Sequence, residues 1–424
     1  MLRGLVVLVA TVALTCAAAA HADSPPFSFW PQGGVIGADL YLANFVDLDP
    51  APGAVLDPFC GSRTYDTHTG DDVLIRSFRE ESIGVPIFSA TDGTVLQVQD
   101  GLWDWNYGSH TSPFDNHVMV ESPDGRVLVY GHLRHGIKLH RGGVLRAGQQ
   151  IGWNGSSGNS SWPHLHFTEV VGESKRDGFA GPCRAGPSDF AVQPSWPTAP
   201  YVRNLVVSPK PFTGEAQLPW DKATRTGTFV AGVRDIWFRV ELGEYLPAAE
   251  EIELVRPDGS VALDDATPTG ALDGEGQGHG AAAFDFHERP NFDALGTWRL
   301  RYSLGGSVLA DAPIEVVANA AELRNRAPVA VEVTLSPAAA SVHAPMVCTV
   351  VSPLVARDPD YDVVRYRYVW TAGGAAVRTV TSAGLADVLA RDTAKAAGTI
   401  ACSVTPSDGR RAGPTASASI TASG

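Results

Sequence analysis

The chain has 424 residues, 44% of them hydrophobic and 18% charged, which is globular material and too long for a single core, so two or three domains are expected. A formal net charge of −14, with no run of Lys or Arg, excludes a phosphate-neutralising surface, and nucleic acid is not an expected partner.

In chain order, the first element is Met1-Leu2-Arg3, an apolar run from Leu5 to Ala20, then Ala20-His21-Ala22 before Asp23. This is the three-part form of a cleavable export signal over 1–22, which places the protein outside the cytoplasm: secreted, periplasmic or in the cell envelope. Lipid attachment at Cys16 is the alternative, although Ala13-Leu14-Thr15 fits that pattern poorly. No later segment is long and apolar enough to span a bilayer. Residues Asp23 to Pro58, rich in Pro, Gly and Asp, either wrap the following domain or serve as a short propeptide. Past the signal, four cysteines remain in an oxidising compartment, and proximity favours pairing Cys60 with Cys183 and Cys348 with Cys402.

Eight of the twelve histidines fall between His68 and His166. That window contains His68-Thr-Gly-Asp-Asp72, Tyr130-Gly-His132-Leu133 and Pro163-His164-Leu-His166-Phe167. Strand alternation sends His164 and His166 to one face and Leu165 and Phe167 into the core. Gly70, free to take positive φ, permits a turn that returns His68 and Asp72 to one point. Two imidazoles and a carboxylate leave room for one water, which is the ligand set of a catalytic zinc.

These motifs resemble the lysostaphin-like, or LytM-type, zinc endopeptidases of metallopeptidase family 23. Besides the three histidine motifs, the ordered series includes Gly84-Val85-Pro86, Ala90-Thr-Asp-Gly93-Thr-Val95 and Gly148-Gln-Gln-Ile-Gly152. The resemblance covers about residues 55–175 and implies an antiparallel β-sheet domain in which His68, Asp72 and His166 bind Zn2+ while His132 and His164 flank the reacting water. It leaves open which imidazole is the base. The expected reaction is hydrolysis of peptide stems or bridges of bacterial peptidoglycan. The alternatives are a non-catalytic activator of another wall hydrolase and an endopeptidase acting on extracellular protein. This chain departs from the family pattern at Gly131, where Ala is usual, at Thr168, where Glu is common, and in a longer segment Trp103 to Phe114, whose Trp103, Trp105, Tyr107 and Phe114 are candidates for an aromatic wall. The remaining histidines, His110, His117, His135, His140, His279, His287 and His343, are read as structural or surface residues.

The Pro-rich stretch from Pro187 to Pro200 is a linker closing the first domain, taken as 23–196. Short β-branched runs such as Ile236–Glu241, Glu251–Val255 and Trp298–Tyr302, with turns like Pro257-Asp258-Gly259, predict a β-sandwich over 197–320. Asp273 to Gly280 is expected to be an exposed loop. From 327 to 424, Cys348, Trp370 and Cys402 follow the order of an immunoglobulin-like sandwich, without the tyrosine two positions before the second cysteine. The turn Asp358 to Asp362 is expected to be solvated, with calcium binding as the alternative. The fold class is thus mainly β: an antiparallel peptidase domain and two sandwiches.

Overall fold

A computed structural model describes residues 25–108, 112, 114–273 and 279–424. The export signal, Cys16, His110 and most of the Gly-rich loop lie outside them. Among the described residues strand accounts for 43% and helix for 3%, so the fold is mainly β.

The first sheet is built from β1 (Tyr41–Asn44), β2 (Asp71–Leu74), β4 (Gly93–Gln99), β5 (His117–Glu121), β6 (Val127–Gly131), β7 (Val144–Leu145), β9 (His164–Val171) and β10 (Ser174–Arg176). Its order is β1-β2-β9-β6-β5-β4-β7, with β10 beside β9, and every pairing is antiparallel. A separate ribbon pairs β3 (Pro86–Phe88) with β8 (Gln150–Trp153). Alternation is legible in β5, where Val118 and Val120 are buried between partly exposed neighbours, and in β9, where Leu165 and Phe167 enter the core. The short helix α1 (Phe78–Ile83) starts at Ser77, whose hydroxyl accepts the Glu80 N–H, and ends at Gly84 with φ 108°.

Residues 25–58 wrap the domain. Phe27, Trp30, Leu40, Leu42 and Phe45 join the core around Phe167, and β1 is an edge strand of the sheet itself. The Pro-rich stretch lacks helix and strand, yet it is packed down: Phe190 is buried and Trp196 meets Phe45, Phe59 and Phe179. The Cys60–Cys183 disulfide closes this side.

Residues 201–317 form a four-stranded and a five-stranded sheet around a core that includes Phe238, Phe286, Trp298 and Tyr302. The three predicted runs are strands at Ile236–Gly243, Glu250–Val255 and Gly296–Leu304. One pairing departs from the antiparallel expectation, since Thr228–Val230 runs parallel to Ser307–Val317. Residues 332–422 form a three-stranded and a four-stranded sheet joined by Cys348–Cys402, with Trp370 fully buried in the same cluster. The Asp358–Asp362 turn is not solvated as expected. Asp358 and Asp360 are buried, and Asp360 pairs with Arg326 at 2.8 Å.

The sheet groups are packed together by specific bonds. Asp39 accepts the N–H of Leu385 at 2.7 Å, and Val35 and Ala38 pack against the C-terminal core. From the middle group, Pro219 accepts the Phe78 N–H at 3.0 Å, and Leu218 packs with Ala43, Leu74 and Trp162.

Candidate metal centre

Strand register brings the chemistry together. In the β2–β9 ladder Asp72 faces His166 and Leu74 faces His164, while β6 places Gly131, and so the following His132, beside His166. His68 enters from the loop before β2, anchored by its ring Nδ1 against the Phe45 carbonyl at 2.6 Å and by its own carbonyl, which accepts the Asp47 N–H at 3.0 Å. The three groups converge: His68 Nε2 lies 3.0 Å from Asp72 Oδ2, His166 Nδ1 lies 2.8 Å from Asp72 Oδ1, and the two ring nitrogens are 3.3 Å apart. Among the described residues this is the group of three or more His, Cys, Asp or Glu side chains whose ligand atoms gather closely enough to hold an ion. Tetrahedral zinc with bonds of about 2.0–2.1 Å separates its ligand atoms by roughly 3.3 Å, so the donor set fits.

The second nitrogen of each ring is also occupied, which fixes ring orientation. His166 Nε2 sits 3.1 Å from Thr168 Oγ1 and 3.3 Å from Thr69 Oγ1. The departure at Thr168 therefore has a local role, as a hydroxyl partner for this ring. Asn44 donates from Nδ2 to Asp72 Oδ2 at 2.9 Å, and its Oδ1 in turn meets His279 Nδ1, from the middle sheets, at 2.9 Å.

Gly70 is glycine for a reason other than the one expected. It does not adopt positive φ; the left-handed residue of this loop is Thr67, at φ 66°. Space is what matters, because a Cβ on Gly70 would lie 2.6 Å from Thr168 Oγ1, 2.7 Å from the Phe167 carbonyl and 2.8 Å from His166 Nε2.

His132 and His164 stand beside His68, Asp72 and His166, their ring centroids 4.5 Å apart. His132 Nδ1 donates to the Ser157 carbonyl at 2.7 Å, leaving Nε2 free to accept. Burial, and then the neighbouring His164, push the His132 pKa down to about 3, so this imidazole is neutral at ordinary pH. His164 has oxygen on both sides: the Trp162 carbonyl 2.7 Å from Nδ1 and Asp72 Oδ1 3.4 Å from Nε2. Burial raises the Asp72 carboxyl, but His68 and His164 outweigh it and hold the group well below the usual carboxylate range.

The site opens into a cleft of about 300 Å³ whose walls include Ala43, Leu74, Tyr65, Trp162, His132 and His164. Tyr65, absent from the sequence reading, lies with its ring 4.2 Å from that of His68. Nothing in its spacing marks it, and Asn44 and Trp220 are equally unmarked, being brought in by segments outside the histidine window. The aromatic segment is divided in role. Trp105 packs in a cluster of three mutually touching rings, 5.4 Å from Phe78 and 6.1 Å from Trp220, which are 5.0 Å from each other, and is a packing residue. Tyr107 meets Trp162 edge-on at 6.3 Å and so reaches the cleft, while Trp103 and Phe114 are exposed. His117 and His135 pair with Asp115 and Asp104 at 2.9 and 2.7 Å, away from the ligand set.

Comparison with known proteins places this geometry. The model of peptidase family M23 matches residues 69–177, a span holding Asp72, His132, His164 and His166. Lysostaphin of Staphylococcus simulans is 30% identical over 135 residues, covering 31% of this chain and 23% of that protein. The glycyl-glycine endopeptidase ALE-1 of Staphylococcus capitis is 35% identical over 92 residues, 21% of this chain and 22% of its own length. The peptidoglycan DD-endopeptidase ShyA of Vibrio cholerae is 27% identical over 104 residues, 24% of this chain and 20% of that one. The chain thus spans less than a quarter of the length of the curated relatives it matches. Within that span the identification is plain: residues 69–177 are a peptidase family M23 domain, homologous to lysostaphin and ALE-1.

Proposed function

We propose that this protein is a zinc metalloendopeptidase of the cell envelope, exported by its N-terminal signal, that hydrolyses peptide stems or bridges of bacterial peptidoglycan. The observation that carries the reading is the convergence of His68, Asp72 and His166 within 3.3 Å of one another beside two further imidazoles facing a cleft. In this reading those three residues hold Zn2+ and His132 and His164 are catalytic. Bound zinc supplies a Lewis acid and lowers the pKa of water toward neutrality.

The protein's own groups divide the proton work. His132, neutral and with Nε2 unengaged, takes a proton from the attacking water. His164, beside it with the Trp162 carbonyl against Nδ1 and Asp72 near Nε2, is assigned to the developing oxyanion or the leaving amine. Tyr65 lines the cleft and offers an O–H there. The cleft floor of Ala43, Leu74 and Trp162 is apolar and suits an extended peptide segment. The three sheet groups correspond in this proposal to a peptidase domain at 23–196, a sandwich at 197–320 and an immunoglobulin-like sandwich at 327–424.

Mass spectrometry of purified peptidoglycan incubated with the protein tests the reading, with and without chelator and alongside His166→Ala. Chelator-sensitive release of cleaved stem peptides, absent in the variant, is the expected result, and the products identify a Gly-Gly bridge or a D-Ala cross-link. Zinc binding with intact wall would move the assignment to the non-catalytic activator or to a protein substrate.

A further inference from the structure

We propose that Asp115 is a positioning residue for His132, and that residue 131 is glycine because the Asp115 carboxylate needs the space. The inference rests on the reading of His132 as the group that accepts a proton.

His132 is held in an awkward conformation. Its φ of 57° lies in the left-handed region, which disfavours a residue with a Cβ, so the turn after β6 needs outside support. Asp115, two residues before β5, supplies it: Oδ2 accepts the His132 backbone N–H at 2.7 Å and lies 3.9 Å from His132 Nδ1. The other oxygen, Oδ1, faces His117 Nδ1 at 2.9 Å, so both ends of the carboxylate are tied. With the backbone fixed by Asp115 and the ring by the Ser157 carbonyl, Nε2 has one direction left, toward His164 and the cleft.

The surroundings are shaped for this carboxylate. A Cβ at Gly131 would lie 2.9 Å from Asp115 Oδ2. Gly158, at φ 74°, would place a Cβ 2.7 Å from that of Asp115. The departure from the family's Tyr-Ala-His and the presence of a carboxylate at position 115 are then one feature, an acid wedged between two glycines behind the catalytic ring. A charge-assisted bond to a backbone N–H is among the stronger kinds, and its loss lets the ring wander.

The test uses the full chain with Asp115→Ala, Asp115→Asn, Gly131→Ala and the double variant Gly131→Ala/Asp115→Ala. Zinc content should stay at the wild-type value throughout, because no proposed ligand is replaced and a Cβ at 131 meets His166 only at ordinary contact distances of 3.4 and 3.5 Å. On a soluble cross-linked stem peptide, Asp115→Ala should lower kcat by about ten- to a hundredfold with KM within twofold, and Asp115→Asn, which keeps an acceptor for the N–H, should recover most of it. Gly131→Ala should resemble Asp115→Ala, and the double variant should be no worse than either, since both disturb one contact. Independently of activity, amide hydrogen exchange at His132 in the zinc-free protein should accelerate at least tenfold in Asp115→Ala. Unchanged kcat together with unchanged His132 exchange overturns the proposal, as does an additive double variant. If the wild-type protein cleaves no peptide, the functional reading fails by itself, and the exchange measurement still decides whether Asp115 holds His132.

Discussion

Replacing Gly70 with alanine should cripple metal binding without removing any ligand. The added Cβ would sit 2.6 Å from Thr168 Oγ1, 2.7 Å from the Phe167 carbonyl and 2.8 Å from His166 Nε2. The hydroxyl can rotate, but the Phe167 carbonyl belongs to strand β9, whose ladder with β2 pairs Asp71 with Phe167 and Asp72 with His166. Relief therefore requires the loop or the strand to shift by roughly 0.6 Å to reach ordinary contact, several times the ~0.2 Å tolerance of a zinc bond. Overpacking of this kind costs about 1–3 kcal/mol of fold stability. Displacing the His166 ring and its Thr168 partner should weaken zinc by about ten- to a hundredfold, as loss of outer hydrogen bonds does elsewhere. The assay is competition against a chromophoric chelator, with denaturant unfolding of the zinc-free protein run in parallel. A Gly70→Ala protein that binds zinc within twofold of wild type would refute the argument that space, rather than backbone conformation, demands glycine here.

His132→Ala should retain zinc yet lose about two to four orders of magnitude in kcat, whereas His166→Ala should lose zinc itself, as metal analysis beside peptide cleavage will show. Glu81 is buried in α1 with neither carboxylate oxygen hydrogen-bonded, and burial, with Asp104 nearby, pushes its pKa up to about 10. A carboxyl raised in the folded state costs stability as pH climbs from its unfolded value near 4.5 toward 10, so Glu81→Gln should flatten that decline and gain at least about 1 kcal/mol at pH 8 in urea melts. Trp220→Ala removes a ring stacked on Phe78 at 5.0 Å and should loosen the Trp105–Tyr107 segment, raising KM on intact wall several-fold while zinc content stays constant. Mutating Cys348 and Cys402 to Ala opens a link spanning 54 positions, for which chain entropy gives a loss of about 4 kcal/mol, read as early unfolding of the C-terminal sheets by tryptophan fluorescence.

Much of the site was legible because candidate site residues that share a strand share its period. His164 and His166 are two apart, so alternation alone puts them on one face, and the clustering of histidines drew attention to His68 and His132. The disulfide pairs followed from proximity, and the strands at 236–243, 250–255 and 296–304 from their β-branched composition. Illegible were the residues whose place depends on long-range packing. Asn44 reaches Asp72 only because β1 pairs with β2, and Trp220 reaches Trp105 and Tyr107 only because the segment around Pro219 docks on α1. The Pro-rich stretch misled in the same way, since its composition says nothing of Phe190 and Trp196 seated among the aromatic rings. Gly70 shows the limit most clearly: the sequence tells that a side chain is unwelcome there, not whether backbone or neighbours refuse it.

The bond from Asp39 to Leu385 joins positions 346 residues apart. The segment carrying it runs on into β1, the edge strand whose Asn44 touches the proposed metal ligand Asp72. Its order therefore depends on a partner far away in the sequence, and loop closure over such a distance makes the contact slow to form. The histidine-bearing strands are close in sequence, whereas the segment that steadies Asn44 beside Asp72 is tied to a distant sheet, so loosening the Leu385 region should reach the proposed metal centre through β1.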